Sequence, residues 1–484
     1  MSILTVVETP SIKKYVFSTD KLMEIRGASA LLDYLNRHEL EAILKPGEKI
    51  YANGGSGQFV FEMSAAEVIE KLQQAQKAYV DVTAGGAFLV WGIAEFDTRE
   101  STSYMEAVRI AHADLERRRY GNPMIAIASG MPLVKLCDSC GHNPASEFSN
   151  YPEADWLCEV CSTKRKFTQS QGRALWHQFV LAMDLKEVQP VKTLADIKPR
   201  MAVIYADGNS MGKHVRSLAS PEEYRLFSET VDNAVRQACF QGLLPIVREH
   251  LQNSEEGNHT IPADILLLGG DDLIVVLPAT HALSFACTAA ETFYQIVKDK
   301  LGRDITLSLG VIVGPPTYPL FLLLDLAEQL LRSAKEKASA VSGSNPPSSI
   351  DFHIISASNS LDLKTIRSEY GKDCEQYRRT KRPYTLEELK NLFAIKAYLD
   401  KNNFPKSRLN SLYEALFGTA KQAHYRAKKL LTSGGDAERE HLLHVLEMAG
   451  CADYIPWSSE KDTFITELVE FYDYLPSLPE GGVN

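Results

Sequence analysis

The stretch that most constrains this chain runs from Ile265 to Leu277. Two apolar runs rich in branched residues flank Gly269-Gly270-Asp271-Asp272, which reads as a β-hairpin with its acidic turn held out in water. A buried strand has no use for adjacent carboxylates, whereas a divalent-cation site at a strand end does. A plain solvated turn would account for the tetrapeptide alone. It would not account for what surrounds it.

A second acid of the right kind lies upstream. Met201 to Ala206 is a short apolar strand that ends in Asp207 and loosens into a turn through Gly208, Asn209, Ser210, Met211 and Gly212. Strands from separate parts of the chain would then bring carboxylates to one Mg2+ or Mn2+ pair, the arrangement of a palm-type nucleotidyltransferase. Around these acids the order is strand, helix opening at Ser220-Pro221-Glu222-Glu223, acidic hairpin, helix 283–301, strand 305–313 and helix 320–337. Ser220 and Glu223 have the spacing of a capping box, with proline at the first helical position.

The first 120 residues repeat that order. A strand over 11–17 leads to a helix over 21–32, then strand, Gly54-Gly55-Ser56-Gly57 and strand, a helix over 65–80, a strand over 87–94 and a helix over 104–118. The fold class is therefore α+β, an internal duplication of a ferredoxin-like palm. Gly54-Gly55-Ser56-Gly57 is expected to stand where Gly269-Gly270-Asp271-Asp272 stands, so the first copy lacks the hairpin acids. It would supply a nucleotide-binding wall, with Asp20, Arg26 and Ser56 as candidates from the repeat, or would serve as architecture alone.

Between the copies lie Cys137, Cys140, Cys158 and Cys161, spaced C-x2-C-x17-C-x2-C. Thiolate pairs two residues apart can share one tetrahedral Zn2+, and four sulfurs make a closed, structural site. Lys164-Arg165-Lys166 just after it reads as a solvated basic turn. Cys239, Cys287, Cys374 and Cys451 are scattered and read as buried thiols. A polar loop over 342–349 and a last strand over 350–355 close the second palm, after which helical periodicity takes over. Tyr377 to Tyr384 interleaves basic and aromatic groups, which suits RNA or phosphate contacts but equally a solvated loop. The expected division is a degenerate first palm over 1–130, a zinc ribbon over 131–170, a second palm over 171–357 and a helical domain over 358–484.

The net charge of −10 argues against a free-standing, non-specific nucleic-acid binder. No run of 18 apolar residues suggests a membrane span, and no secretory signal opens the chain, so a cytoplasmic protein is expected.

The order of these motifs resembles the large subunit of type III CRISPR effector complexes, often called the CRISPR polymerase, over nearly the whole chain. The segment Tyr205 to Gly212 is similar to that family's first metal-ligand motif. The resemblance implies that ATP is converted into cyclic oligoadenylate second messengers, triggered when a guide RNA-loaded complex of partner subunits captures target RNA. It implies metal ligation by Asp207 and Asp271 with Asp272 assisting, and triphosphate contact by the Gly208-Asn209 backbone. Gly269 and Gly270 would border the nucleotide, and Lys335 matches the family's phosphate-contacting lysine. Many members begin with a histidine–aspartate nuclease domain; this chain begins with the palm and contains no His-Asp dipeptide, so DNA cleavage is not expected. The other readings are a stand-alone nucleotide cyclase or cyclic-dinucleotide synthase, and a non-catalytic scaffold of an RNA-guided complex.

Overall fold

In the computed structural model, the described residues are 2–97, 101–121, 134–171, 173–253, 259–343, 345–355, 361–370, 377–432, 435–451 and 456–476; Cys374 lies outside them. The chain opens with strand β1 (Ser2–Glu8), a short helix α1 (Ile12–Val16) and α2 (Leu22–Tyr34), which continues through a π-helical turn (Leu35–Glu39) into α3 (Leu40–Leu44). β2 (Glu48–Asn53), β3 (Ser56–Phe61), α4 (Ala65–Val82), β4 (Val90–Phe96) and α5 (Ser101–Gly121) complete the first palm, whose sheet has the order β2-β3-β1-β4.

The first strand is thus not 11–17. Ile12, Tyr15, Val16 and Phe17 are branched or aromatic and suit a strand, but Tyr15 and Val16 are the buried face of a helical turn. The β-branched run Thr5-Val6-Val7 is the strand, central in its sheet and almost wholly buried.

A small hairpin, β5 (Glu147–Ser149) and β6 (Asp155–Leu157), leads into α6 (Glu159–Gln171) and α7 (Ala174–Ala182). Lys164-Arg165 is not a solvated turn: it lies inside α6, fully buried against the first palm. Arg165 Nη2 sits 2.6 Å from Glu24 Oε1 and 2.8 Å from Asp155 Oδ2, while Lys164 Nζ donates to the Tyr15 carbonyl and, at 2.8 Å, to Ser18 Oγ. Buried cations need such partners, and all of these but Asp155 come from more than a hundred residues away. Lys166 alone stays in solvent, paired with Glu147.

After β7 (Val188–Pro190) the second palm begins: β8 (Met201–Gly208), α8 (Met211–Arg216), α9 (Pro221–Asn253), β9 (His259–Ile261), β10 (Asp264–Gly269), β11 (Asp272–Pro278), α10 (Ala282–Leu301), β12 (Leu307–Gly314), α11 (Leu320–Val341) and β13 (Ser349–Ile354). Its sheet runs β10-β11-β8-β12-β13-β14, where β14 is Tyr384–Thr385, so β10-β11-β8-β12 repeats β2-β3-β1-β4 strand for strand. Alternate residues of β8 face opposite ways. Ala202, Ile204 and Ala206 pack with α9 and α10, whereas Met201, Val203 and Tyr205 pack with α11 and with Ile25, Ala28 and Leu32 of the first palm.

The rest is helical: α12 (Leu363–Glu369), α13 (Leu386–Lys401), α14 (Lys406–Leu416), α15 (Ala420–Thr432), α16 (Asp436–Met448) and α17 (Ile465–Glu470). Here the Tyr377–Tyr384 segment is corrected as well. Arg379, Arg382 and Tyr384 are buried, with Arg382 Nε 2.9 Å from Glu467 Oε1 and the Tyr384 hydroxyl donating to Glu467 Oε2 at 2.9 Å. The stretch ties the second palm to α17 and offers little to RNA. Among the described residues no helix is long and apolar enough to cross a membrane.

Candidate active site

Asp207 ends β8, and Asp271 and Asp272 sit at the β10–β11 turn on the neighbouring strand, so the sheet itself brings the three acids together. The turn is not held out in water. Asp271 and Asp272 are half-buried, because the turn points at the first palm. Gly270 has φ +63° and Gly54 φ +56°, and a Cβ on Gly54 would lie 2.8 Å from the Gly270 Cα. Glycine is required there by both backbone sign and contact. The two hairpin tips therefore meet.

Burial, then the charges of Asp207 and Asp272, push the Asp271 carboxyl well above the usual carboxylate range. Burial raises Asp272 to about 6, although Lys13 partly offsets it. Carboxylates crowded this way repel one another, a repulsion that a shared hard cation would relieve by drawing them together. Gly208 lets Asp271 in: a Cβ there would be 3.1 Å from Asp271 Oδ2.

Two lysines balance the acids. Lys335, on α11, pairs with Asp207 and donates to the Gly208 carbonyl at 3.2 Å. Lys13, on α1 of the first palm, lies 3.4 Å from Asp272 Oδ1 and 4.3 Å from the centre of the Tyr205 ring. The Tyr205 hydroxyl donates to the same Asp272 oxygen at 3.1 Å. Neither Lys13 nor Tyr205 was singled out in the sequence.

The other candidates divide. Asn209 is turned inward: its amide N–H donates to the Thr306 carbonyl at 2.8 Å, and its side chain bonds Thr306 and Ser308. It holds the site's backbone and has no N–H left for a phosphate. Asp20 Oδ1 accepts from the Phe321 amide at 3.0 Å, at the start of α11. Fourteen residues separate Phe321 from Lys335, about 21 Å along a helix. Arg26 is buried against Asp264 at 2.7 Å, and Asp264 is at the far end of β10 from the turn, about 16 Å away. Asp20 and Arg26 thus serve as a helix cap and a buried ion pair away from the acids. Ser56 does sit at the facing hairpin.

The register corrects the internal alignment by one residue. Asn53 pairs with Ser56 as Gly269 pairs with Asp272, so Gly54, Gly55 and Ser56 correspond to Gly270, Asp271 and Asp272. Val7 faces Gly57 as Ala206 faces Leu273, which makes Glu8 the counterpart of Asp207. Ser11 and Ser210, next to α1 and α8, share a left-handed backbone at φ 57° and 56°. Gly92 and Gly310 match too: a Cβ on either would strike a helix carbonyl, Ala111 at 2.0 Å or Ala327 at 2.1 Å. Counting four residues on from Leu115 and Leu331 places Arg119 opposite Lys335, and Arg119 indeed lies 2.5 Å from Glu8. The first palm has kept a carboxylate–cation pair where the second has Asp207–Lys335. The sequence carried a signal for this, since Asp33 and Arg37 recur at the same spacing as Asp232 and Arg236. These four meet between the palms: Arg37 contacts Asp33 at 2.7 Å and Asp232 at 2.9 Å, and Arg236 contacts Asp232 at 3.1 Å and Asp33 at 3.6 Å.

The Sγ atoms of Cys137, Cys140, Cys158 and Cys161 lie within 4.8 Å of one another. Cys140 and Cys158 are 3.8 Å apart, the edge of about 3.8 Å expected for a tetrahedron with Zn–S near 2.3 Å and far too long for a disulfide. The cluster can hold one metal ion.

Residues 200–341 match the family model described as Cas10/Cmr2, second palm domain. No curated protein matches the sequence. Among solved structures, the chain is similar to the Csm1-Csm4 cassette in complex with cA3, at 13% identity over 93% of this chain and 69% of that one, with a TM-score of 0.55. The cassette in complex with pppApApA gives 12%, 93%, 69% and 0.56. Csm1 from T. onnurineus gives 14%, 98%, 67% and 0.53. The second palm is therefore of the Cas10/Cmr2 kind by sequence, and the chain shares the fold of the Csm1 structures.

Proposed function

We propose that this chain converts ATP into cyclic oligoadenylates, as the signalling large subunit of an RNA-guided type III CRISPR defence complex. The observation that carries the reading is the convergence of Asp207, Asp271 and Asp272, flanked by Lys335, at a hairpin tip that faces its own duplicate. Solved relatives in complex with cA3 and pppApApA support the substrate class, and their Csm4 partner supports a complex rather than a solitary enzyme. Divisions at 130, 170 and 357 would separate the two palms, the cysteine cluster and the helical end, although α6 crosses 170 and the second sheet takes β14 from beyond 357. The four cysteines would hold a structural Zn2+.

Asp207, Asp271 and Asp272 would hold Mg2+ or Mn2+, and their mutual repulsion is what such a cation relieves. Bound there, the metal lowers the pKa of an attacking 3′-hydroxyl and neutralises the departing pyrophosphate. The residues of the chain position and neutralise. Lys335 exchanges its Asp207 partner for a phosphate oxygen. Gly269 and Gly270 give the triphosphate close approach to the backbone. Glu8, Arg119 and Ser56 line the first palm's side, where a second nucleotide presents its 3′-oxygen to the α-phosphorus. The bond to pyrophosphate breaks as the new P–O bond forms, and the hydroxyl proton leaves to solvent.

The test is incubation of the purified chain with ATP and Mg2+ or Mn2+, alone and with partner subunits carrying guide and target RNA, followed by mass spectrometry. Cyclic oligoadenylates that disappear in Asp271→Ala/Asp272→Ala are expected. A cyclic mononucleotide or dinucleotide product would replace the reading with a cyclase. Unchanged ATP in both settings would leave a scaffold.

A further inference from the structure

The duplication offers a way to separate contacts common to both copies from contacts that serve one copy alone. Where both copies keep an interaction, as with Glu8–Arg119 and Asp207–Lys335, it is common to both and does not tell one copy's role from the other's. Where a contact exists in one copy only, and every partner differs in the other, it belongs to what that copy does alone. Lys13, Tyr205 and Asp272 meet that second condition. By the strand register, Asp272 corresponds to Ser56 and Tyr205 to Val6, since Val6 faces Gly92 as Tyr205 faces Gly310. Lys13, two residues past Ser11, corresponds to Gly212, two residues past Ser210. The cation, the ring beneath it and the acid are thus replaced together by a glycine, a valine and a serine.

Lys13 is also held in place from behind. Its helix α1 is capped at the Tyr15 carbonyl by buried Lys164 of the cysteine-cluster helix, and Ile12 fills the space over Gly55. A lone surface lysine would have no such support. Its side chain is still 42% exposed, so it can leave Asp272 without dragging buried structure along.

We propose that Lys13 is a nucleotide-binding residue that the first palm contributes to the second palm's site. It neutralises Asp272 while no metal is bound, and moves to a phosphate oxygen of the nucleotide when the metal takes Asp272. This rests on the metal-site reading of the three acids. It differs from a structural ion pair in the sign of its effects. A place-holding cation competes with the metal and cooperates with the nucleotide, whereas a structural pair supports both or neither.

The test uses the full chain and two probes: Mn2+ alone, followed by electron paramagnetic resonance, and a non-reacting α,β-methylene ATP with Mn2+. Lys13→Gln is expected to tighten Mn2+ binding about threefold, the scale of a partly exposed ion pair, and to weaken binding of the nucleotide analogue about tenfold. Lys13→Arg should restore most of the nucleotide affinity. Unchanged affinities for both probes, or a parallel loss of both, overturn the proposal while the metal site stands. Wild-type protein that binds neither probe, although folded by its melting curve, overturns the metal-site reading and this proposal with it.

Discussion

The two palms have the same strands in the same order, meet across a near-symmetric quartet of Asp33, Arg37, Asp232 and Arg236, and place their hairpin tips in contact. They differ at the tips. One ends in Gly54-Gly55-Ser56, the other in Gly270-Asp271-Asp272. Both turns begin with a left-handed glycine, but Gly55 is left-handed as well, at φ +81°, whereas Asp271 is not among the left-handed residues. The second turn can therefore carry a side chain at its centre, and the first is built for glycine. The lesson is that a duplicated scaffold can concentrate charge in one copy while the other keeps the pairing and the packing.

The comparison predicts unequal consequences for equivalent substitutions. Asp271→Ala/Asp272→Ala should lower nucleotide turnover by about a thousandfold or more, whereas Glu8→Gln, at the Asp207 position of the first palm, should lower it by about tenfold. Equal losses, measured as kcat/KM side by side, would break the assignment of chemistry to one palm.

Asp232→Ala and Asp33→Ala should each cost about 2–3 kcal/mol in urea unfolding, because each strips partners from two largely buried arginines. The quartet is symmetric, so these should agree. Asp232 also accepts from the Gly270 amide at 3.4 Å, so only its variant should weaken Mn2+ binding.

A third expectation concerns pH. In metal-free protein Asp272 titrates near 6, above its ordinary 3.8. A carboxyl raised by folding contributes most to stability below about 4, and that contribution is lost as pH rises through about 6. Asp271→Asn/Asp272→Asn should therefore stabilise the metal-free chain at pH 7 by about 1–2 kcal/mol, allowing for partial exposure of Asp272. The advantage should vanish near pH 4. A variant less stable than wild type at pH 7 would mean that the acids are structural.

The smallest effect comes from rebuilding the missing contact. Ser56→Asp alone should lower stability by about 0.5 kcal/mol, and Gly212→Lys added to it should recover that loss. Space exists, since only Arg216 Nη1 lies within 4 Å of a Cβ at Gly212. Failure of the second substitution to help would show that the palms are less symmetric here than their registers.

What could be read early was whatever is encoded by spacing along the chain. The hairpin of Ile265 to Leu277, the four cysteines, the helix start at Ser220 and the repeated element order depend on near neighbours, and near neighbours are visible in a sequence. The misplaced first strand shows the limit of local pattern: over 11–17, a short run of branched and aromatic residues suits a strand and a single helical turn alike. Basic residues mark the other limit. Lys164, Arg165 and Arg382 resemble solvent-facing or RNA-facing charge, because their partners Tyr15, Glu24 and Glu467 are distant in the chain.

By itself, then, the sequence determined the α+β duplication, the acidic hairpin, the four-thiol cluster and the identity of the three carboxylates. Only the tertiary structure decided that the two hairpin tips touch, that Lys13 of one palm reaches Asp272 of the other, and that Arg26 and Asp20 serve elsewhere. The reason is the range of the forces involved. Strand, turn and thiol spacing are set within a few residues, whereas burial of a charge and the approach of two glycines are settled only when separate palms pack against each other.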